Sequence, residues 1–110
     1  MKSQKLILKK NPTLADCQRY MAKMTKARGF EQETIPELFM LFLEECGELA
    51  EAVRKTKLKH IKSHWRPEHR PDLEAADVLI YLLEIANKLG IDLEKAFREK
   101  EEINKQRVWK

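Results

Sequence analysis

A chain of 110 residues, 43% hydrophobic and 36% charged, fits one domain, 1–110, that buries only about two thirds of its unfolded surface, so a second copy would add burial. The mixture is too apolar for a disordered chain and too charged for a membrane protein, and the run Leu6-Ile7-Leu8 is far short of a signal-peptide core. A soluble cytoplasmic protein with no membrane partner is predicted, with Cys17 and Cys46, which lack CxxC or zinc spacing, as reduced core thiols.

Three glycines and four prolines divide the chain into about four helices. The first starts near Thr13, with Asp16 as its capping-box partner, and runs through Leu14, Cys17, Met21 and Met24 to Gly29. The second takes Thr34 as cap and Glu37 as partner, tolerates Pro36 in its first turn and continues to about Lys57. Over 58–72 the period is lost and Pro67 and Pro71 enter, which reads as a basic loop. The third helix runs from about Leu73 to Leu89 and is closed by Gly90; Asp92 caps a fourth that reaches roughly Arg107. Alternation never persists, so no strand is predicted. The fold class is all-α, a four-to-five-helix bundle.

Ile35, Leu38, Phe39, Phe42, Cys46, Leu49 and Val53 of the second helix fall in an arc roughly 100° wide at about 100° per residue, the expected core face. Glu45 projects at the edge of that arc, between Leu38 and Ala52; Glu48 follows beside Leu41, and Glu51 points to solvent. The third helix is apolar nearly all round from 75 to 83, with Asp77 as the one charge and Glu74 three residues earlier on the same side. Two acid pairs, Glu45-x-x-Glu48 and Glu74-x-x-Asp77, can thus converge. Like charges about 4 Å apart repel by on the order of 4 kcal/mol at an effective dielectric of 20, so four carboxylates together require cations. Oxygen donors without histidine or thiolate select Mg²⁺, with Mn²⁺ or Ca²⁺ as substitutes, over zinc. The plainer reading is scattered surface acids paired with lysines.

The inward stripe of the fourth helix begins with Leu93, Ala96 and Phe97 and continues at the same spacing as Lys100, Asn104 and Arg107. Cations beside an acid–metal cluster suit a triphosphate; the plainer reading is a frayed terminal helix. Much of the net charge of +4 sits in the 54–70 segment, where lysines, arginines and all three histidines face Glu68 alone. That segment reads as a solvated loop or as a lid in which Trp65 stacks on a base; Trp109 suits a dimer seam. An alternative function follows from the same segment: a non-catalytic helical module binding nucleic acid or an acidic partner. It leaves the inward acids unexplained, so nucleic acid is not the expected partner. A di-iron bundle would need Glu-x-x-His pairs, which the second to fourth helices lack.

The run Glu44-Glu45-Cys46-Gly47-Glu48-Leu49-Ala50-Glu51-Ala52, followed by Glu74-Ala75-Ala76-Asp77-Val78-Leu79-Ile80-Tyr81, resembles the signature of MazG-like all-α nucleoside triphosphate pyrophosphohydrolases, ExxE and then ExxD. The closing Lys100-Glu101-Glu102-Ile103-Asn104-Lys105-Gln106-Arg107 is similar to the family's K-x3-N-x2-R tail. The resemblance covers roughly residues 34–109. It implies Mg²⁺ held by Glu45, Glu48, Glu74 and Asp77, a water oriented or deprotonated by Glu44 with Glu48 also at the catalytic centre, Tyr81 against the nucleoside, and Lys100, Asn104 and Arg107 on phosphates or sugar. It further implies a helical homodimer or tetramer, and hydrolysis of nucleoside triphosphates to monophosphate and pyrophosphate, in the manner of nucleotide-pool house-cleaning.

Overall fold

The computed structural model describes residues 6–57 and 70–109. Among these the protein is all-helical: α1 (Leu14–Ala27), α2 (Ile35–Lys57), α3 (Pro71–Leu89) and α4 (Leu93–Lys105). The core of the basic segment, 58–69, lies outside the described residues, and with it the lid reading of Trp65.

Local chemistry sets most helix ends. Thr13 Oγ1 accepts from Asp16 N at 3.0 Å while Asp16 Oδ2 accepts from Thr13 N at 2.9 Å, a complete capping box. Thr34 and Glu37 repeat the exchange at the head of α2, at 2.8 and 3.3 Å. Asp92 Oδ1 accepts from Lys95 N at 3.0 Å to start α4. Gly29 (φ 78°) and Gly90 (φ 71°) occupy the left-handed region that side chains resist, and this lets Phe30 N reach Thr25 O and Ile91 N reach Ala86 O.

The third helix starts two residues earlier than the sequence suggests. Pro71 is not part of the loop; it is the first residue of α3, where its missing N–H has no helical partner to lose. Arg70 precedes it without a side-chain cap and pairs instead with Asp72, Nη2 to Oδ2 at 2.8 Å. The fourth helix ends two residues short of expectation, leaving Arg107 outside it with its guanidinium 4.4 Å from the Trp109 ring centroid.

Helix α3 is central, packing on α2 and α1, and α4 lies along α1. Among the described residues the buried core is Met21, Leu38, Ala52, Leu83, Ile85 and Ala86. The buried face of α2 is rotated relative to the expected arc. Leu38 and Ala52 bound it, and Phe39 at the arc's far edge is 44% exposed. At about 100° per residue Glu45 falls between Leu38 and Ala52, the two buried residues of α2. The stripe of α4 is not core either. Phe97 is 66% exposed and α4 has no buried residue, because its neighbour is α1 rather than the acid-bearing pair.

A polar knot ties the bundle's far end. Gln18 Nε2 donates to Asn87 Oδ1 (3.1 Å) and Ile91 O (2.8 Å), Gln18 Oε1 accepts from Leu93 N (2.8 Å), and Asn87 Nδ2 donates to Gln18 O (2.9 Å). One side chain thus fixes α1 against the end of α3 and the start of α4. Gln18→Ala strips three groups of a partner, Asn87 Oδ1, Ile91 O and Leu93 N, and is expected to cost about 2–3 kcal/mol, read as a lowered midpoint in urea unfolding; an unchanged midpoint would show the knot to be idle.

Candidate functional site

Seven residues past Leu38, and so two turns along the same face of α2, Glu45 meets α3. Glu48 follows one turn on, and Glu74 and Asp77 face them from the first two turns of α3. The carboxylate oxygens of Glu45, Glu48 and Glu74 come within 4.8 Å of one another. Asp77 stands outside that trio, near enough for its charge to act on Glu45 and Glu74. The packing of α2 on α3 therefore brings together the four acids singled out from spacing, three of them closely.

Glu45 carries the strain of this crowding. A hydrogen bond shared with Glu48, then desolvation, then the charges of Glu48, Asp77 and Glu74 push its pKa up to about 7. Burial first, and then the charges of Glu48 and Asp77, also raise Glu74. Among the described residues no lysine or arginine is ion-paired with any of the four; the neighbouring Glu51 pairs with Lys55 at 3.2 Å. Glu45 Oε2 is closed off from solvent with no hydrogen-bond partner. An enclosed, orphaned carboxylate oxygen facing two further carboxylates is a donor set for a hard divalent cation such as Mg²⁺.

The other sequence-derived candidates divide. Tyr81, one turn past Asp77, is half-buried, and burial followed by the charges of Glu84, Glu33, Glu45 and Asp77 raises its hydroxyl pKa. It stands on the same stripe of α3 as the acids. Glu44 is exposed beside the trio. Lys100 and Arg107 are exposed and Asn104 is half-buried with Oδ1 enclosed and unpartnered; the packing of α4 on α1 does not bring them to the acids within one chain. Sequence reasoning passed over Glu84, whose carboxylate accepts from Thr25 Oγ1 at 2.8 Å and is raised mainly by desolvation. The signal was available, since Glu84 is two turns after Asp77 on the same face, just beyond the apolar run.

The MazG nucleotide pyrophosphohydrolase domain matches residues 33–107. A protein of Rattus norvegicus named dCTP pyrophosphatase 1 is 37% identical over 100 residues, covering 87% of this chain and 59% of the relative. Its Homo sapiens counterpart is 38% identical over the same shares. A protein of Cyanophage S-2L named dATP/dGTP diphosphohydrolase is 42% identical over 67 residues, 61% of this chain and 50% of the relative. The chain thus spans about three fifths, or less, of the length of these relatives.

The raised acids fix the sign of a pH effect. A carboxyl whose folded pKa lies above its unfolded value favours folding while protonated, and that contribution is lost as pH rises from about 4.5 through about 7. In chelator, the thermal midpoint should fall between pH 5 and pH 8. Glu45→Gln should flatten that fall, and Mg²⁺ added at pH 8 should raise the wild-type midpoint; parallel pH profiles for the two proteins would contradict this account of the cluster.

Proposed function

This chain belongs to the MazG nucleotide pyrophosphohydrolase domain family, and from that membership and the crowded acids of α2 and α3 we propose that it hydrolyses deoxynucleoside or nucleoside triphosphates to the monophosphate and pyrophosphate. The names of its relatives point the same way, towards dCTP and towards dATP and dGTP. The observation that carries the reading is the enclosed, unpartnered Glu45 Oε2 within a trio of carboxylates with which, among the described residues, no lysine or arginine is ion-paired. Charge-dense phosphate substrates arrive with divalent ions, and such a trio is built to receive them.

In this reading Glu45, Glu48, Glu74 and Asp77 hold Mg²⁺, with Mn²⁺ as a substitute. When bound, the ion supplies Lewis-acid polarisation of phosphate oxygens and makes hydroxide available near neutral pH. The protein's own groups do the rest. Glu44, exposed beside the trio, orients the attacking water and takes its proton. Tyr81 lies against the nucleoside, its ring presenting an apolar face and its hydroxyl a hydrogen-bonding edge. Lys100, Asn104 and Arg107 neutralise and position phosphates, which from α4 requires a site completed on assembly.

Assembly is the second part of the proposal. Phe39, Met40 and Leu43 of α2 and Leu73, Leu79 and Leu82 of α3 are between 38% and 71% exposed, so the two acid-bearing helices carry apolar side chains that the single chain does not cover. A homodimer, or a pair of dimers, covers them. Among the described residues no helix is long and apolar enough to cross a membrane, and house-cleaning of the cytoplasmic nucleotide pool is the physiological role proposed.

Pyrophosphate release from the eight standard triphosphates, with Mg²⁺ and with chelator, tests the activity. Glu48→Gln and Asp77→Asn should each lose more than the roughly 100-fold typical of a mere supporting partner while keeping a wild-type far-ultraviolet spectrum; wild-type turnover in either removes the metal assignment. Leu43→Lys, 65% exposed in the single chain, should shift the sedimentation of an oligomer towards monomer, whereas an unaltered oligomer would place the contact elsewhere.

A further inference from the structure

A second concavity lies on the outer face of α1, away from the acids. Gln18 and Thr25 hydrogen-bond to α3 and Met21 is buried with them. At about 100° per residue, Asp16, Arg19, Tyr20 and Lys23 fall on the opposite side of α1. The extended segment ahead of the helix crosses that side, and its Leu6, Ile7 and Lys9 enclose with those four residues a hollow of about 330 Å³. That volume suits a small organic molecule. The chain turns at Asn11, whose φ of 55° lies in the left-handed region that asparagine tolerates, and Lys9 Nζ comes to 3.8 Å from Asp16 Oδ2.

The lining is more cationic than its single acid can balance. Asp16 Oδ2 already accepts from Thr13 N, and Oδ1 is paired with Arg19. The Thr13 amide foremost, these contacts hold the Asp16 carboxyl below the usual carboxylate range, so it is ionised and committed near neutral pH. Lys9 reaches the same carboxylate only at long range, and among the described residues Lys23 has no ion pair. From Leu6 to Arg28, Asp16 is the one acid, against Lys9, Lys10, Arg19, Lys23, Lys26 and Arg28. Neither the segment nor α1 therefore offsets the surplus of Lys9, Arg19 and Lys23 around the hollow.

We propose that this hollow binds the phosphate group of an organic phosphate monoester, whose carbon part rests on Leu6 and the Tyr20 ring. Such a group carries about two negative charges near neutral pH, which matches three cations less one carboxylate. The Arg19 guanidinium offers a planar fork of N–H donors to phosphate oxygens, and Lys9 and Lys23 add compact charges. Leu6 and Tyr20 are half-buried and supply an apolar wall that a bare inorganic ion would leave unused. The phosphate can be carried by a soluble molecule or by a lipid headgroup, for which the exposed Ile7 at the rim would enter the bilayer surface. Because the hollow opens away from α3, the site is independent of the acids and of the nucleotide-hydrolase reading.

Calorimetric titration of the full chain with phenyl phosphate and with inorganic phosphate, both in chelator, tests the site. Phenyl phosphate should bind about tenfold more tightly than inorganic phosphate, the scale of one partly buried ring. Lys23→Gln removes a side chain with no ion pair to lose, so the fold is kept, and it should weaken phenyl phosphate about tenfold. Lys26→Gln, a cation that does not line the hollow, should leave the affinity unchanged. Sedimentation with phosphatidylcholine vesicles, with and without phosphatidic acid, separates the sources. Recruitment by phosphatidic acid that phenyl phosphate displaces assigns the site to a headgroup; phenyl phosphate binding without recruitment assigns it to a soluble phosphate. No binding of phenyl phosphate, equal affinity for the two phosphates, or the same response to Lys23→Gln as to Lys26→Gln would overturn the proposal.

Discussion

The seam between α2 and α3 must hold carboxylates together against their own repulsion. Glu45, Glu48 and Glu74 meet within 4.8 Å, where like charges repel and oppose the packing of the two helices. Proton sharing relieves part of this, as the raised Glu45 shows. Apolar contact supplies the rest, through Leu38 and Ala52 of α2 and Leu83, Ile85 and Ala86 of α3, all nearly inaccessible to solvent. The oil lies mostly along the second half of α3 and the acids along the first, so stability and chemistry are separated along one helix.

That arrangement fits the small core, six buried residues among those described. The half of the seam given over to acids cannot be sealed with hydrocarbon, and the outer faces of α2 and α3 present Met40, Leu43 and Leu79 to solvent. A bundle with so little interior of its own gains from any surface that covers those faces, as the proposed assembly would. Among the described residues, the acids without an ion-paired cation and the exposed apolar side chains belong to the same pair of helices.

Legibility in the sequence followed the range of the interaction. Thr13 with Asp16, Thr34 with Glu37, Asp92, and Gly90 in its left-handed turn are local devices, and each stands where residue types alone place it. The acid pairs were legible for the same reason, since helical spacing puts i and i+3 on one side. What failed was tertiary. The exposed Phe39 shows that an apolar arc does not reveal which part of it finds a partner. Phe97 shows that a stripe is not a core when the neighbouring helix is the wrong one. Glu84 shares the face of Asp77 by a local rule, but its pairing with Thr25, 59 residues away, is a proximity no local rule contains.

The attachment of α4 has a consequence for its motion. Its first turn is tied to α1 twice, by Leu93 N on Gln18 Oε1 and by Glu94 Oε1 accepting from Ala15 N at 3.2 Å, whereas Phe97 and Ile103 further along are exposed. A rod clamped at one end opens from the other. Backbone amides near Ala96 should exchange with deuterium slowly and those near Lys105 quickly.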